Sequence, residues 1–186
     1  MALASEQGFP QWLTTGSMLR GWALAMQGQG EEGTVQIRQA LAVWRAMGAG
    51  MAVSHWLVSL AEAYRQAGQA EEGLRLLAEA VVHVDSTGEH KYAAEVYWLK
   101  GELLLRQAIP DEAQAEACLH QALEIARQQQ AKSWELRAAV RLSRLWQQQG
   151  KRDEAHALLA PVYAWFTEGF DTADLREAKA LLEELS

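Results

Sequence analysis

The chain has 186 residues, 49% of them apolar and 22% charged, with a net charge of −7, a composition that suits one globular domain or a short array. No stretch approaches the roughly 18 uninterrupted apolar residues of a membrane span, the opening "MALASEQGFPQW" lacks the basic-then-apolar pattern of a secretion signal, and the acidic excess argues against binding nucleic acid through clustered cations. A single cysteine, Cys118, can close no internal disulfide and builds no zinc knuckle, so a cytoplasmic protein without redox chemistry, metal or cofactor is expected.

In chain order, the short apolar piece Ala2 to Ala4 before a glycine is similar to the way "LAVWRAMGAG" closes a helix at 41–50, so the chain is expected to begin on the tail of an earlier repeat. The first full unit covers roughly residues 9–48, and its "AMQGQGEEGTVQIRQAL" at 25–41 is echoed by "RQAGQAEEGLRLLAEAV" at 65–81 in a second unit, roughly 51–88. In that second unit Leu57, Leu60, Ala61 and Tyr64 fall at i, i+3, i+4 and i+7 on one helical face. After the breaker Gly68, Leu74, Leu77, Val81 and Val84 form a second stripe. A third unit, roughly 91–130, turns at Pro110, where Asp111 with Gln114 three residues on reads as a capping box. The fourth, roughly 132–168, contains Pro161, which is expected to bend its last helix. Leu175, Ala178, Leu182 and Leu185 then mark a terminal helix at 172–185, with Asp171 or Thr172 as its N-cap, expected to close the array.

The units align in columns. A small residue recurs as Gly21, Ala61, Gly101 and Ser143, in steps of 40, 40 and 42. Seven residues later stand Gly28, Gly68, Ala108 and Gly150, and a further column reads Ala40, Ala80, Ala122 and Val162. Small side chains in register are what two helices need where they cross closely, so each unit reads as a helical hairpin. Trp12, Tyr92 and Trp134 each stand nine residues before the first small column, with Ala52 the exception, which predicts a first helix extended at its start with an aromatic packed there.

These columns resemble the tetratricopeptide repeat family over roughly residues 10–168, although the period of 40 exceeds the family's usual 34 or so. "RGWALAMQGQGEEG", "LAEAYRQAGQAEEGL", "LKGELLL" and "RLWQQQGKRDEAHALLAPVYAWF" further resemble the C-terminal repeat region of multidomain bacterial ATPases that carry a class III adenylate or guanylate cyclase, or a DNA-binding regulator. The resemblance implies an all-α, right-handed α-solenoid of about four antiparallel hairpins forming a single domain over 1–186. It also implies a concave groove lined by the first helices. Carried over residue by residue, the groove positions are Met18 and Trp22; His55, Glu62 and Arg65; Glu95, Trp98 and Glu102; and Arg137, Arg141 and Arg144. The last three share a face by their spacing of 4 and 3 alone. Their charge suits a carboxylate-bearing peptide or an acidic protein segment; otherwise they form a solvated face or pair with the acidic C-terminal block. Residues 131–152 hold Lys132, Arg137, Arg141, Arg144, Lys151 and Arg152 against Glu135 alone. Residues 153–186 hold Arg176 and Lys179 against eight carboxylates.

Other candidates for chemistry read as structure. "GQGEEG" follows no strand and lacks the Gly-Lys-Ser/Thr of a phosphate loop. Glu116, His120 and Glu124 form an i, i+4 set better suited to a solvated face than to a metal, and His55, His83, His90 and His156 lie in separate helices or turns. Six tryptophans (Trp12, Trp44, Trp56, Trp134, Trp146 and Trp165) are expected to fill the space between helices, whereas Trp22 and Trp98 stand near the small column where one or both would be exposed. The expectation is a non-catalytic interaction and regulatory scaffold, binding a peptide, a protein or other domains of a parent signalling protein. Self-association through an exposed terminal repeat is a further expectation. The alternative is a small-molecule effector sensor in a transcription regulator.

Overall fold

The computed structural model describes residues 8–48, 50 and 52–186. Ala2 to Ala4, read above as the tail of an earlier repeat, lie outside the described residues. Among those residues the secondary structure is wholly helical: α1 (Pro10–Met26), α2 (Gly30–Ala46), α3 (Val53–Gln66), α4 (Ala70–Thr87), a 3-10 turn (His90–Tyr92), α5 (Ala93–Leu104), α6 (Glu112–Gln128), α7 (Lys132–Gln148), α8 (Arg152–Ala164) and α9 (Ala173–Leu185). Two compact units result, Met1–Tyr92 with the α1–α2 and α3–α4 hairpins, and Ala93–Ser186 with α5–α6, α7–α8 and α9. No described helix is long and apolar enough to cross a membrane.

Each hairpin is closed by the small column. A methyl group built on Gly21 would lie 2.8 Å from Ile37 Cγ1 and 2.9 Å from the Gly33 carbonyl, and one built on Gly101 would lie 2.8 Å from Leu119 Cγ. Ala61 and Ser143 are fully buried in the equivalent places. Ser143 fits because its hydroxyl donates to the Ala155 carbonyl at 3.0 Å, which satisfies a polar group that would otherwise be buried unpaired. The facing residues form a second small column, Gly33, Gly73, Ala115 and Ala155, all buried on the second helices. One turn further along, Ile37, Leu77, Leu119 and Leu159 are each fully buried.

The turns follow the breaker column. Gly28, Gly68 and Gly150 have φ of 88°, 72° and 79°. In each case the next residue's N–H reaches back to the helix, as from Gln69 to the Tyr64 carbonyl at 2.9 Å, satisfying a carbonyl that the helix end leaves open. In the third hairpin Asp111 caps α6 by accepting the Gln114 N–H at 2.9 Å. The extended first helix holds in two copies: α1 and α7 begin eleven residues before Gly21 and Ser143, whereas α3 and α5 begin only eight before their small residues. Ala52 at the head of α3 has φ 59° instead, and the Glu89 carboxylate holds it there, accepting the Ala52 N–H at 2.7 Å and the Ser54 hydroxyl at 2.5 Å.

α8 runs on through Pro161 to Ala164. In α9 the expected Leu175, Ala178 and Leu185 are buried, Leu182 is half-buried against the same core, and Leu181 joins them as a fully buried residue that the expected spacing does not include. Thr172 is its N-cap residue.

Candidate functional site

The first helices carry the candidate groove residues, and their packing sorts these into three groups. Met18 is fully buried in the α1–α2 core, so it fills space and offers nothing to a ligand; this corrects its assignment to the groove. Trp22, on the next turn of α1, is 42% exposed. Glu62 and Arg65 on α3 make a two-pronged ion pair, Arg65 Nε to Glu62 Oε2 at 2.7 Å and Nη2 to Oε1 at 2.5 Å, with both side chains mostly covered. Gln66 joins the same carboxylate at 3.2 Å and approaches the Met26 sulfur at 3.8 Å, tying α3 to α1.

His55 lies outside this group. Its ring stacks on Tyr92 at 4.7 Å and packs against Trp56 at 4.8 Å, and its Nδ1 is buried without a hydrogen-bond partner among the described residues. Burial lowers its pKa, the nearby Lys91 lowers it further, and Glu89 opposes both. The histidines do lie in separate helices or turns, and His83 Nε2 stands 3.5 Å from Glu89, the carboxylate that caps α3. No sequence spacing links Glu89 to residues 35 and 37 positions earlier.

In the second unit the arginine stripe meets carboxylates. Arg137 Nε bonds Asp174 Oδ2 at 2.8 Å while its guanidinium lies 4.7 Å from the Trp134 ring centre. Arg144 Nε bonds Glu177 Oε1 at 3.1 Å and its Nη1 stands 3.8 Å from Glu184. Arg141 pairs with the buried Glu102, which Arg106 also approaches at 3.9 Å. The carboxylate-peptide reading of the stripe therefore gives way to the pairing one: the guanidiniums fasten α7 to α5 and α9. Trp98 packs on Trp134 at 5.8 Å and is half-buried, and Glu95 is half-buried on α5.

Buried charge elsewhere has the same structural use. Burial works to raise the pKa of Glu135, but hydrogen bonds from Lys132 at 2.6 Å and Arg127 at 3.0 Å outweigh it and hold the carboxyl below its usual value, securing the α6–α7 turn. Glu116 accepts the Trp146 indole N–H at 2.7 Å, and His120 lies 3.9 Å away. No cluster of three or more potential metal ligands occurs among the described residues. Burial raises the Cys118 pKa, which keeps its sulfur an inert thiol.

The tryptophans divide differently from the sequence expectation. Trp44 and Trp56 are buried edge to face at 6.3 Å, and Trp134 and Trp146 are partly buried. Trp12 at 69% and Trp165 at 57% exposure fill no interior space, because Trp12 points off the side of α1 away from α2 and Trp165 lies past the last turn of α8.

A cleft of about 610 Å³ opens in the first unit between α2 and α4, floored by Leu41, Leu60 and Tyr64 and rimmed by Arg38, Arg45 and Arg75. Arg45 is bonded to Glu79 at 2.5 Å and Arg75 is bonded to Glu72.

No protein-family model matches the chain, and neither does any curated protein sequence. Among solved structures, the chain is similar to the nearly identical TPR-like repeats of a putative kinesin light chain from Podosopora anserina, with TM-score 0.73 at 21% identity over 95% of this chain and 86% of that one. A single-residue variant of the same repeats gives TM-score 0.74 at 20% identity, covering 95% and 85%. BtubC (BKLC) from P. vanneervenii gives 0.73 at 15% identity, covering 99% and 83%. At these identities the likeness shows the fold, an all-α array of TPR-like helical hairpins.

Proposed function

We propose that this protein is a non-catalytic protein-interaction scaffold whose four hairpins act as one array, a cytoplasmic part of a larger bacterial signalling ATPase or cyclase. Its recognition surface is the first-helix face of the first unit, where a peptide or partner domain anchors on Trp22 of α1. The observation that carries this reading is a single column, Trp22, Glu62, Glu102 and Arg144. In the last three copies the position holds a charge taken up by an ion pair, and in the first it holds a 42% exposed indole. Tryptophan is among the residues enriched at the anchoring points of interfaces. Panning a random peptide library on the protein tests it: one enriched motif is expected, with binding weakened at least roughly tenfold by Trp22→Ala. Failure to enrich any motif, or a motif indifferent to Trp22, removes the assignment.

The cleft between α2 and α4 supports a second reading, an effector-sensing domain, since its volume lies within the roughly 300–1,000 Å³ of small-molecule sites. Its rim mixes Arg38, Arg45 and Arg75 with Glu72 and Glu79, which pair with two of these arginines, so it suits metabolites that carry charges of both signs. A thermal-shift screen with such compounds separates the two readings, because binding at the cleft would survive Trp22→Ala and be lost with Arg38→Glu.

A further inference from the structure

We propose that the cleft between α2 and α4 binds a zwitterion with an apolar body, of the kind presented by a free apolar amino acid or by a dipeptide of such residues. The inference rests on the effector-sensing reading of this cleft and names its ligand class. Both walls belong to the first unit, with α2 on one side and α4 on the other, so the opening does not depend on what stands before α1.

The floor is apolar, with Leu41 and Leu60 buried beside the half-buried Leu76. Tyr64 lies among them, only 8% exposed, and its hydroxyl has no hydrogen-bond partner among the described residues. That leaves a donor and an acceptor free for a ligand on the floor. Charge on the rim is arranged in rungs. Arg45 on α2 meets Glu79 on α4 at 2.5 Å. Arg38 and Glu72 stand seven residues earlier on the same two helices, about 10 Å along the cleft. This second rung is not made: Glu72 is held by Arg75 of its own helix, and Arg38 has no carboxylate partner among the described residues.

The second unit supplies the comparison. Eighty-two residues further on, after two repeats, the floor recurs as Leu123, Leu142 and Leu158, but Trp146 stands in place of Tyr64 and His120 in place of Arg38. There the protein closes the position with its own side chains: the Trp146 indole donates to Glu116 at 2.7 Å, and its ring packs on His120 at 5.6 Å. In the first unit the corresponding hydroxyl and guanidinium have no such partners.

Charge selects the ligand. A carboxylate on Arg38 is held by two parallel N–H donors, with the Tyr64 hydroxyl as a third. Glu72 and Glu79 each engage their arginine through one oxygen, which leaves the other for an ammonium. A plain anion would face these carboxylates and a plain cation would face Arg38, each with repulsion to overcome. A zwitterion completes the missing rung, carboxylate on Arg38 and ammonium on Glu72, with its apolar part over Leu41, Leu60 and Leu76.

Isothermal titration of the full chain with L-leucine, L-phenylalanine and leucyl-phenylalanine tests this. Saturable binding of at least one is expected. Binding of the dipeptide alone assigns the cleft to the ends of short peptides, and binding of an amino acid assigns it to free amino acids. Blocking either charge, as the N-acetyl derivative or the amide, should weaken binding at least roughly tenfold, as should Arg38→Gln, because each removes a bond between charged groups. Tyr64→Phe should also weaken binding while the Tm of the ligand-free chain stays that of the parent. Silence from all three probes, a blocked derivative that binds as tightly as its parent compound, or an Arg38→Gln or Tyr64→Phe chain that binds like the parent would each overturn the assignment. If the probes fail while another metabolite of mixed charge binds and needs Arg38, the effector reading stands and this ligand class falls; if no metabolite binds, both fall.

Discussion

Gly33 shows how little room the hairpin crossing leaves. A methyl group there would lie 2.5 Å from the Gly21 carbonyl oxygen, 2.8 Å from the Ala25 nitrogen and 2.9 Å from Ala25 Cβ. Two of these three atoms are backbone of the facing helix and cannot turn aside, so the helices must part. Helix propensity alone would make Gly33→Ala stabilising by up to about 1 kcal/mol. Forced separation of a packed crossing costs about 1–3 kcal/mol and wins. Urea denaturation of Gly33→Ala should therefore show a lower midpoint with a similar slope, and a raised midpoint would show that the crossing has slack. The sequence contains this column as plainly as the first-helix one, since Gly33, Gly73, Ala115 and Ala155 repeat in steps of 40, 42 and 40. Standing beside the glutamates, it reads as part of the turn, and only the packed helices reveal it as the partner of the first column.

At the scale of the element, the helices and their breakers were legible because their causes are local: apolar period, a residue able to take positive φ, and a carboxylate three residues ahead of a free N–H. The use of Arg137, Arg141 and Arg144 was not. Their spacing establishes a shared face, but which carboxylate lies opposite is decided by how α7 is placed against α5 and α9. The pairs also differ in worth. Glu102 keeps only 8% of its side-chain surface, whereas Glu177 keeps 51% beside an Arg144 that keeps 29%. Arg141→Gln leaves a buried carboxylate with the more distant Arg106, a change expected to cost about 2–4 kcal/mol. Arg144→Gln breaks a pair screened by water and is expected to cost under about 1 kcal/mol, vanishing in high salt. Denaturation midpoints of the two variants at low and high ionic strength check this ranking, and equal losses would contradict it.

Across the whole molecule the repeating motif sets how stability is distributed. Ile37, Leu77, Leu119 and Leu159 occupy one position of four successive second helices, and each is fully buried. Leu159 belongs to a core built from α6, α7, α8 and α9, including Leu123, Leu136, Leu175 and Leu181. Truncating it to alanine removes methyl groups that no water can replace, at about 2–5 kcal/mol. Where contacts run only between neighbours, that loss falls first on the hairpin that suffers it and on the helices packed against it, because distant repeats share none of the broken contacts. Hydrogen exchange of Leu159→Ala should show faster exchange in the amides of α7, α8 and α9, with those of α1 to α4 near their parent rates. If protection instead falls by the same factor in every helix, the chain unfolds as one cooperative body, and interfaces between successive hairpins outweigh the hairpins themselves.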